Sequence, residues 1–401
     1  MSTSTETWER TISPAQTGGT MRAGVLCDVE RVEVRDVPFP AVGPHEVLVR
    51  VSAVGLCGTD AHIFAGHANY NTDDYGQPVP FHVEPQILGH EISGCVEEVG
   101  GEVSDLKPGD RVVLDQGLNC VSMRRATRCE YCRTGDSHQC EFYAEHGITG
   151  LPGGLAEFIS VPAVNAIPIR GDLGMAEAAL AEPLGCIIHS ADSVARAQSR
   201  YHLNGNSGGP RVGSVLICGA GPAGLLFTQY LRRVLGYDGL LLVSEPNEAK
   251  RKLALSLGAD QVVDPGERDA VEAVQNYTSG KGVDYLIEAS GAGQVLAFIP
   301  GLIKKQATVL LYGHGHAGVD LSVLNNLMFR EPTLITPVGA SGGFEADGRP
   351  TVYLRALNII ERGEIDVAPL ITHRYASLEA VQDALIKDIH LPGYIKGVVT
   401  L

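Results

Sequence analysis

A chain of 401 residues with 44% hydrophobic side chains can bury large cores and suits two domains. Its net charge of −16, with no run of Lys and Arg, argues against nucleic-acid or anionic-membrane partners, which need a basic patch to displace counterions. The opening MSTSTETWERTISPAQTGG has no basic-then-apolar leader, and no apolar run approaches the ~20 residues of a membrane span, so a cytoplasmic protein is expected.

The Ser/Thr-rich first twenty residues read as a mobile arm. From Met21 to about Pro168 the chain is β-rich and punctuated by Gly and Pro. EVLVRVSAVG, GHEISGCVEEVG, DRVVLD and AEFISVP alternate or run apolar between turns, the pattern of an irregular β-barrel-like domain. GLCGTDAH sets a soft ligand, Cys57, beside the Thr59 hydroxyl, the Asp60 carboxylate and the His62 imidazole. LGHE adds His90 and Glu91, and Glu182 follows in AEPLGCIIHS. Together these types suit a catalytic Zn²⁺ with mixed ligands and one open position. Cys120, Cys129, Cys132 and Cys140 stand close enough to close a second, structural zinc site as four thiolates. An odd total of nine cysteines and a reducing compartment favour thiolates over disulfides.

HLNGNSGGPRVG (202–213) reads as a loop or hinge-side insertion. From about Val212 apolar strands alternate with amphipathic helices: VGSVLICGAG, GLLLVSEP, DQVVDP, VDYLIEAS and ATVLLYG. This implies a parallel, doubly wound sheet. Gly219, Gly221 and Gly224, with Pro222 and Ala223 between them, form a GxGxxG turn between strand and helix. There glycines admit a pyrophosphate to the backbone and the helix N-terminus. Glu245, 21 residues beyond Gly224, suits the adenosine ribose hydroxyls and disfavours a 2′-phosphate, so NAD is expected over NADP. Lys250 and Arg251 follow closely; a solvated helix face is their simpler reading, with Arg251 kept among the cofactor-side candidates. After Ala340 come a helix near TVYLRALNIIERG and the strands VAPLITHRY and GYIKGVVTL, which are expected to return to the first domain.

On GLCGTDAH, GHE, the four-cysteine lobe, AEP, GAGPAG and SEP, the chain resembles the zinc-dependent medium-chain dehydrogenases over about residues 21–401. The resemblance implies an α/β protein. A GroES-like β-rich catalytic domain (1–185, completed by 341–401) would carry a Rossmann NAD-binding domain (186–340), with the active site in the cleft between them. Cys57 and His90 match catalytic-zinc positions, and either Glu91 or Glu182 would be the third ligand. Cys186 is a weaker alternative that would line the nicotinamide pocket. Thr59 would take the substrate proton, His62 pass it towards solvent, and Asp60 orient His90. The acid at Glu182 is the version found in polyol and threonine dehydrogenases. The implied reaction is oxidation of a polyol, cyclitol or sugar alcohol to a ketone, with an L-threonine-type amino alcohol second and a simple alcohol third. A homodimer or homotetramer is implied.

Two departures from the family pattern stand out. Eight residues separate Cys120 from Cys129 where the family usually leaves two, so an insertion must loop out of the lobe. The stretch from Phe64 to Pro85 is long, and Asn69, Tyr70, Asn71, Asp73, Asp74 and Tyr75 make its middle polar. Tethered between two ligands, it would cover the cleft mouth and select hydroxylated substrates, or else face a second subunit or solvent.

Overall fold

The computed structural model describes residues 19–203, 209–266, 269–316, 318–320 and 322–401. The expected N-terminal arm and the middle of the 202–213 insertion lie outside these residues.

The strand Glu46–Leu56 organises the first half. Eight of its eleven residues are buried, Arg50 is exposed, and the strand is paired along both edges. Glu91–Val99 pairs antiparallel along one edge, while Phe158–Pro162 and the C-terminal strand Lys396–Thr400 share the other. Arg111–Leu114, Ala166–Pro168 and Ile371–Tyr375 extend this into a seven-stranded sheet. The last residues of the chain therefore lie beside residues 53–56. A smaller sheet places Thr20–Asp28 between Arg31–Pro38 and Gln86–Ile87.

The 16-residue helix Ala181–Arg196 leads out of this half. Pro183 sits in its first turn, where a missing N–H costs no helical hydrogen bond. Leu184, Ile187 and Ile188 pack into one apolar core with Ala53 and Val113 from the first sheet and Val215, Leu225 and Tyr353 from later segments. The second sheet has six strands, ordered Gln261–Val263, Leu240–Ser244, Ser214–Cys218, Val283–Glu288, Ile303–Leu311, Thr333–Ile335, and every pair is parallel. Ser214–Cys218 is buried at all five positions, as a central strand covered on both faces must be. The order reverses between Ser214–Cys218 and Val283–Glu288, and ligands of doubly wound sheets bind outside the carboxyl ends of the strands at that point. GAGPAG emerges there.

Candidate active site and metal centres

The four sulfurs of Cys120, Cys129, Cys132 and Cys140 lie within 4.8 Å of one another. Cys120 and Cys140 are 3.6 Å apart, and Cys129 and Cys140 are 3.8 Å apart. Thiolates at ~2.3 Å around a tetrahedral Zn²⁺ stand ~3.8 Å from each other, whereas a disulfide needs ~2.0 Å. The donor set therefore fits zinc, and all nine cysteines are free. Cys129 caps the helix Glu130–Thr134 and its sulfur accepts the Cys132 amide, so the Cys-x-x-Cys turn aims both thiols inward. The insertion folds as turns closed by Arg124 N to Val121 O and Arg125 N to Cys120 O. Arg125 lies 3.5 Å over the Phe142 ring.

Strand register assembles the second centre. Gly55 stands opposite Glu91, so Cys57, two residues past Gly55, and His90, one before Glu91, meet at the end of the ladder. The ligand atoms of Cys57, His90 and Glu91 all lie within 4.8 Å of one another. A Cβ at Gly55 would come 1.9 Å from Glu91 Oε2, which explains the glycine. Glu91 Oε1 is held by Lys396 Nζ at 2.5 Å, and the same ammonium donates to Leu56 O at 3.1 Å. Glu91 Oε2 is buried without a hydrogen bond, as an oxygen offered to a cation would be.

Asp60 is fully buried. It accepts the amides of Cys57 at 2.8 Å and Gly89 at 3.1 Å, and lies 3.5 Å from His90 Nδ1, which turns Nε2 of that ring away from it. Burial alone would raise the Asp60 pKa, but His90 and the two amides hold it below its ordinary value. Thr59 Oγ1 lies 3.7 Å from Cys57 Sγ. The His62 and His314 rings, from the two halves of the molecule, lie 5.1 Å apart; burial, then the imidazoles of His314 and His67, lower the His62 pKa and favour its neutral form.

Glu182 is buried but stands outside the compact Cys57, His90, Glu91 group. Its Oε1 accepts from Gln116 Nε2 at 3.2 Å and Cys186 Sγ at 3.3 Å, and burial pushes it up to about 7. In the 64–85 stretch most polar groups shape the loop itself. Asn69 donates to Val79 O, Asn71 to Glu84, and Asp73 Oδ1 accepts two loop amides. Tyr70 is the exception: its hydroxyl reaches His314 Nε2 at 3.0 Å, from one half of the molecule to the other, while Tyr75 is 88% exposed.

At the second sheet, Gly219 has φ +100°, and a Cβ at Gly224 would meet Gly219 O at 2.0 Å, so both positions require glycine. Gly221, the N-cap of the helix Pro222–Gln229, has open space where a Cβ would point, leaving a cradle a phosphate can enter. Pro222 and Ala223 form the first turn of that helix. Glu245 accepts the amides of Ala220 at 2.8 Å and Asn247 at 2.9 Å, tying the second strand's end to the glycine turn. Arg251 is not on a solvated face: it donates to Glu245 O and Pro246 O and pairs with Asp264 at 2.7 Å.

Residues 43–171 match the alcohol dehydrogenase GroES-like domain and residues 222–353 the zinc-binding dehydrogenase domain. The chain is 33% identical over 356 residues to an L-threonine 3-dehydrogenase from Pyrococcus furiosus, spanning 88% of this chain and 90% of that protein. It is 30% identical over 370 residues to a sorbitol dehydrogenase from Arabidopsis thaliana, spanning 90% of each. A Sinorhizobium meliloti protein solved with NADP and described as a zinc-binding dehydrogenase superposes with TM-score 0.76 at 30% identity, over 96% of this chain and 100% of that one. The chain belongs to the zinc-dependent medium-chain dehydrogenase family. It is an oxidoreductase acting on small-molecule alcohols, with zinc and NAD(P) as its cofactors. Among the described residues no helix is long and apolar enough to cross a membrane.

Proposed function

We propose that this enzyme oxidises a secondary alcohol of a polyol, cyclitol or sugar alcohol to a ketone, with NAD as hydride acceptor. The observation that carries the reading is the Cys57, His90, Glu91 cluster, whose ligand atoms all lie within 4.8 Å of one another, in a chain that also carries the glycine turn. Cys57, His90 and a glutamate would hold a zinc ion whose Lewis acidity would ease deprotonation of the substrate hydroxyl, and NAD at the glycine turn would supply the hydride acceptor. Thr59 receives the hydroxyl proton, neutral His62 conducts it towards solvent, and Asp60 keeps His90 in its liganding orientation. A second reading, oxidation of an L-threonine-type amino alcohol, is favoured by the threonine dehydrogenase relatives; a simple alcohol ranks third. NADH formation against polyols, inositols, threonine and simple alcohols decides among them, and turnover of none would refute all three.

Thr59→Val keeps the side-chain shape and removes the hydroxyl, so turnover should fall by roughly 10²–10⁴-fold. Unchanged kcat across pH would remove Thr59 from the mechanism. Glu245→Ala should narrow the preference for NAD over NADP by roughly tenfold, since the carboxylate disfavours a 2′-phosphate. A wild-type enzyme that prefers NADP, as the NADP-bound neighbour invites one to test, would contradict this.

We take the catalytic domain as residues 1–185 with 341–401, the Rossmann domain as 186–340, and the protein as cytoplasmic. Exposed Met328 and Phe329 beside the edge strand Thr333–Ile335 support self-association as a dimer or tetramer, which light scattering on the intact chain reads directly.

A further inference from the structure

A partly buried hydrogen-bonded chain links the flank of the metal centre to the four-cysteine lobe. Gln116 Nε2 lies 3.2 Å from Glu182 Oε1 and 3.4 Å from Glu145 Oε1, so one amide touches two carboxylates. Tyr143 donates to Glu145 Oε1 at 2.7 Å, and Tyr353 donates to Gln116 Oε1. Backbone pairing brings them together: Glu145 stands opposite Gly117, the residue after Gln116, in the ribbon of Gly117–Leu118 with Ala144–Glu145. Glu182 comes from a helix and Tyr353 from a segment near the C-terminus.

Gln116 is 2% exposed, and the two hydrogens of its amide nitrogen each meet an acid, which satisfies both donors. Two features separate the acids themselves from ordinary core packing. Every hydrogen bond given to the two carboxylates falls on Oε1. Oε2 of each carries none, yet neither atom is sealed from solvent. Among the described residues, neither Glu145 nor Glu182 has an ion-pair partner, and the nearby ammonium of Lys396 is committed to Glu91 and Leu56. A Cβ at Gly147, two residues past Glu145, would come 2.5 Å from Gly89 O, so the Glu145 segment packs directly against the residue that precedes His90.

We propose that Gln116 and Glu145 form a substrate subsite beside the reacting carbinol. Glu145 Oε2 accepts a hydrogen bond from a hydroxyl or ammonium on a neighbouring carbon, and Gln116 fixes that carboxylate against Glu182. The inference rests on the reading that an alcohol reacts at the Cys57, His90, Glu91 centre. It narrows the substrate to neutral polyhydroxylated or cationic amino alcohols. Partly desolvated carboxylates are matched by added donors, whereas a substrate carboxylate or phosphate at this position would face two acids.

Four secondary alcohols test this: butan-2-ol, butane-2,3-diol, 1-amino-2-propanol and L-threonine. They compare a bare carbinol with one carrying a hydroxyl, an ammonium, or an ammonium and a carboxylate. In the zinc-loaded wild type the diol and the amino alcohol should have the highest kcat/KM. In Glu145→Ala the diol-to-butan-2-ol ratio of kcat/KM should fall by roughly 10²-fold, chiefly through KM. In Glu145→Gln the amino alcohol should lose more than the diol, because the charge is gone and the hydrogen-bonding shape is kept. Melting temperature and zinc content measured alongside report on folding. Equal loss on all four substrates, or L-threonine as best substrate with an efficiency insensitive to Glu145→Ala, would overturn the subsite while leaving alcohol oxidation standing. Turnover of none of the four by wild type would overturn the underlying reading and the subsite with it.

Discussion

Cys57→Ala should lose hydride transfer by roughly 10³-fold or more while binding NAD(P) almost as tightly as wild type. The loss follows from the ligand set. Removing the thiolate leaves His90 and a glutamate, too few protein donors for a catalytic zinc, and the alcohol loses the cation that stabilises its deprotonated form. Dinucleotide binding should persist because the glycine turn, Glu245 and the helix Pro222–Gln229 belong to the other sheet. Fluorescence titration with NADH and a single-turnover assay separate the two effects. Retained turnover with no bound metal would show that the cluster is not catalytic.

Cys132→Ser should lower the melting temperature by roughly 10 °C or cut soluble yield sharply, because a closed thiolate site contributes folding free energy directly. The reason is local. Residues 120–140 hold only the helix Glu130–Thr134 and one short 3-10 turn, and the buried apolar contacts of the lobe are the four cysteines themselves with Tyr143 and Phe344. Without the metal, four thiols with sulfurs 3.6–3.8 Å apart would have to stay buried in place of a bonded cluster. The lobe also carries Tyr143, so its loosening should weaken the Gln116–Glu145 contact and lower activity as well as stability. An unchanged melting temperature together with unchanged zinc content would sink the assignment.

What the sequence made legible was what lies close along the chain. The glycine turn, the Cys-x-x-Cys spacing, GLCGTDAH and GHE are each local patterns whose geometry follows from a few residues, and the alternation of apolar strands with helices gave the doubly wound sheet. Three kinds of feature were not legible. The partners that organise the site are remote: Lys396 meets Glu91 across 305 residues, Tyr353 meets Gln116 across 237, and Tyr70 meets His314 across 244. A lone lysine inside the apolar strand of GYIKGVVTL was a usable signal, since a buried ammonium needs a carboxylate. The sixth strand, Thr333–Ile335, is three residues long and too short for a period to show. The polar 64–85 stretch was left open between facing substrate and facing a second subunit or solvent, and the structure adds a third use: Asn69, Asn71 and Asp73 satisfy the backbone and side chains of their own loop. Composition cannot distinguish those uses of a polar residue.

One chain should hold two zinc ions, one that builds the lobe and one that serves the reaction. Zinc per chain, measured by mass spectrometry of the metal on wild type, Cys57→Ala and Cys132→Ser alongside NADH formation, tests it most directly. Wild type should hold two equivalents and each variant one, with NADH formation lost in Cys57→Ala at near-normal stability and the fold destabilised in Cys132→Ser. One equivalent or none in a fully active wild type, or two in an inactive Cys57→Ala, would contradict it.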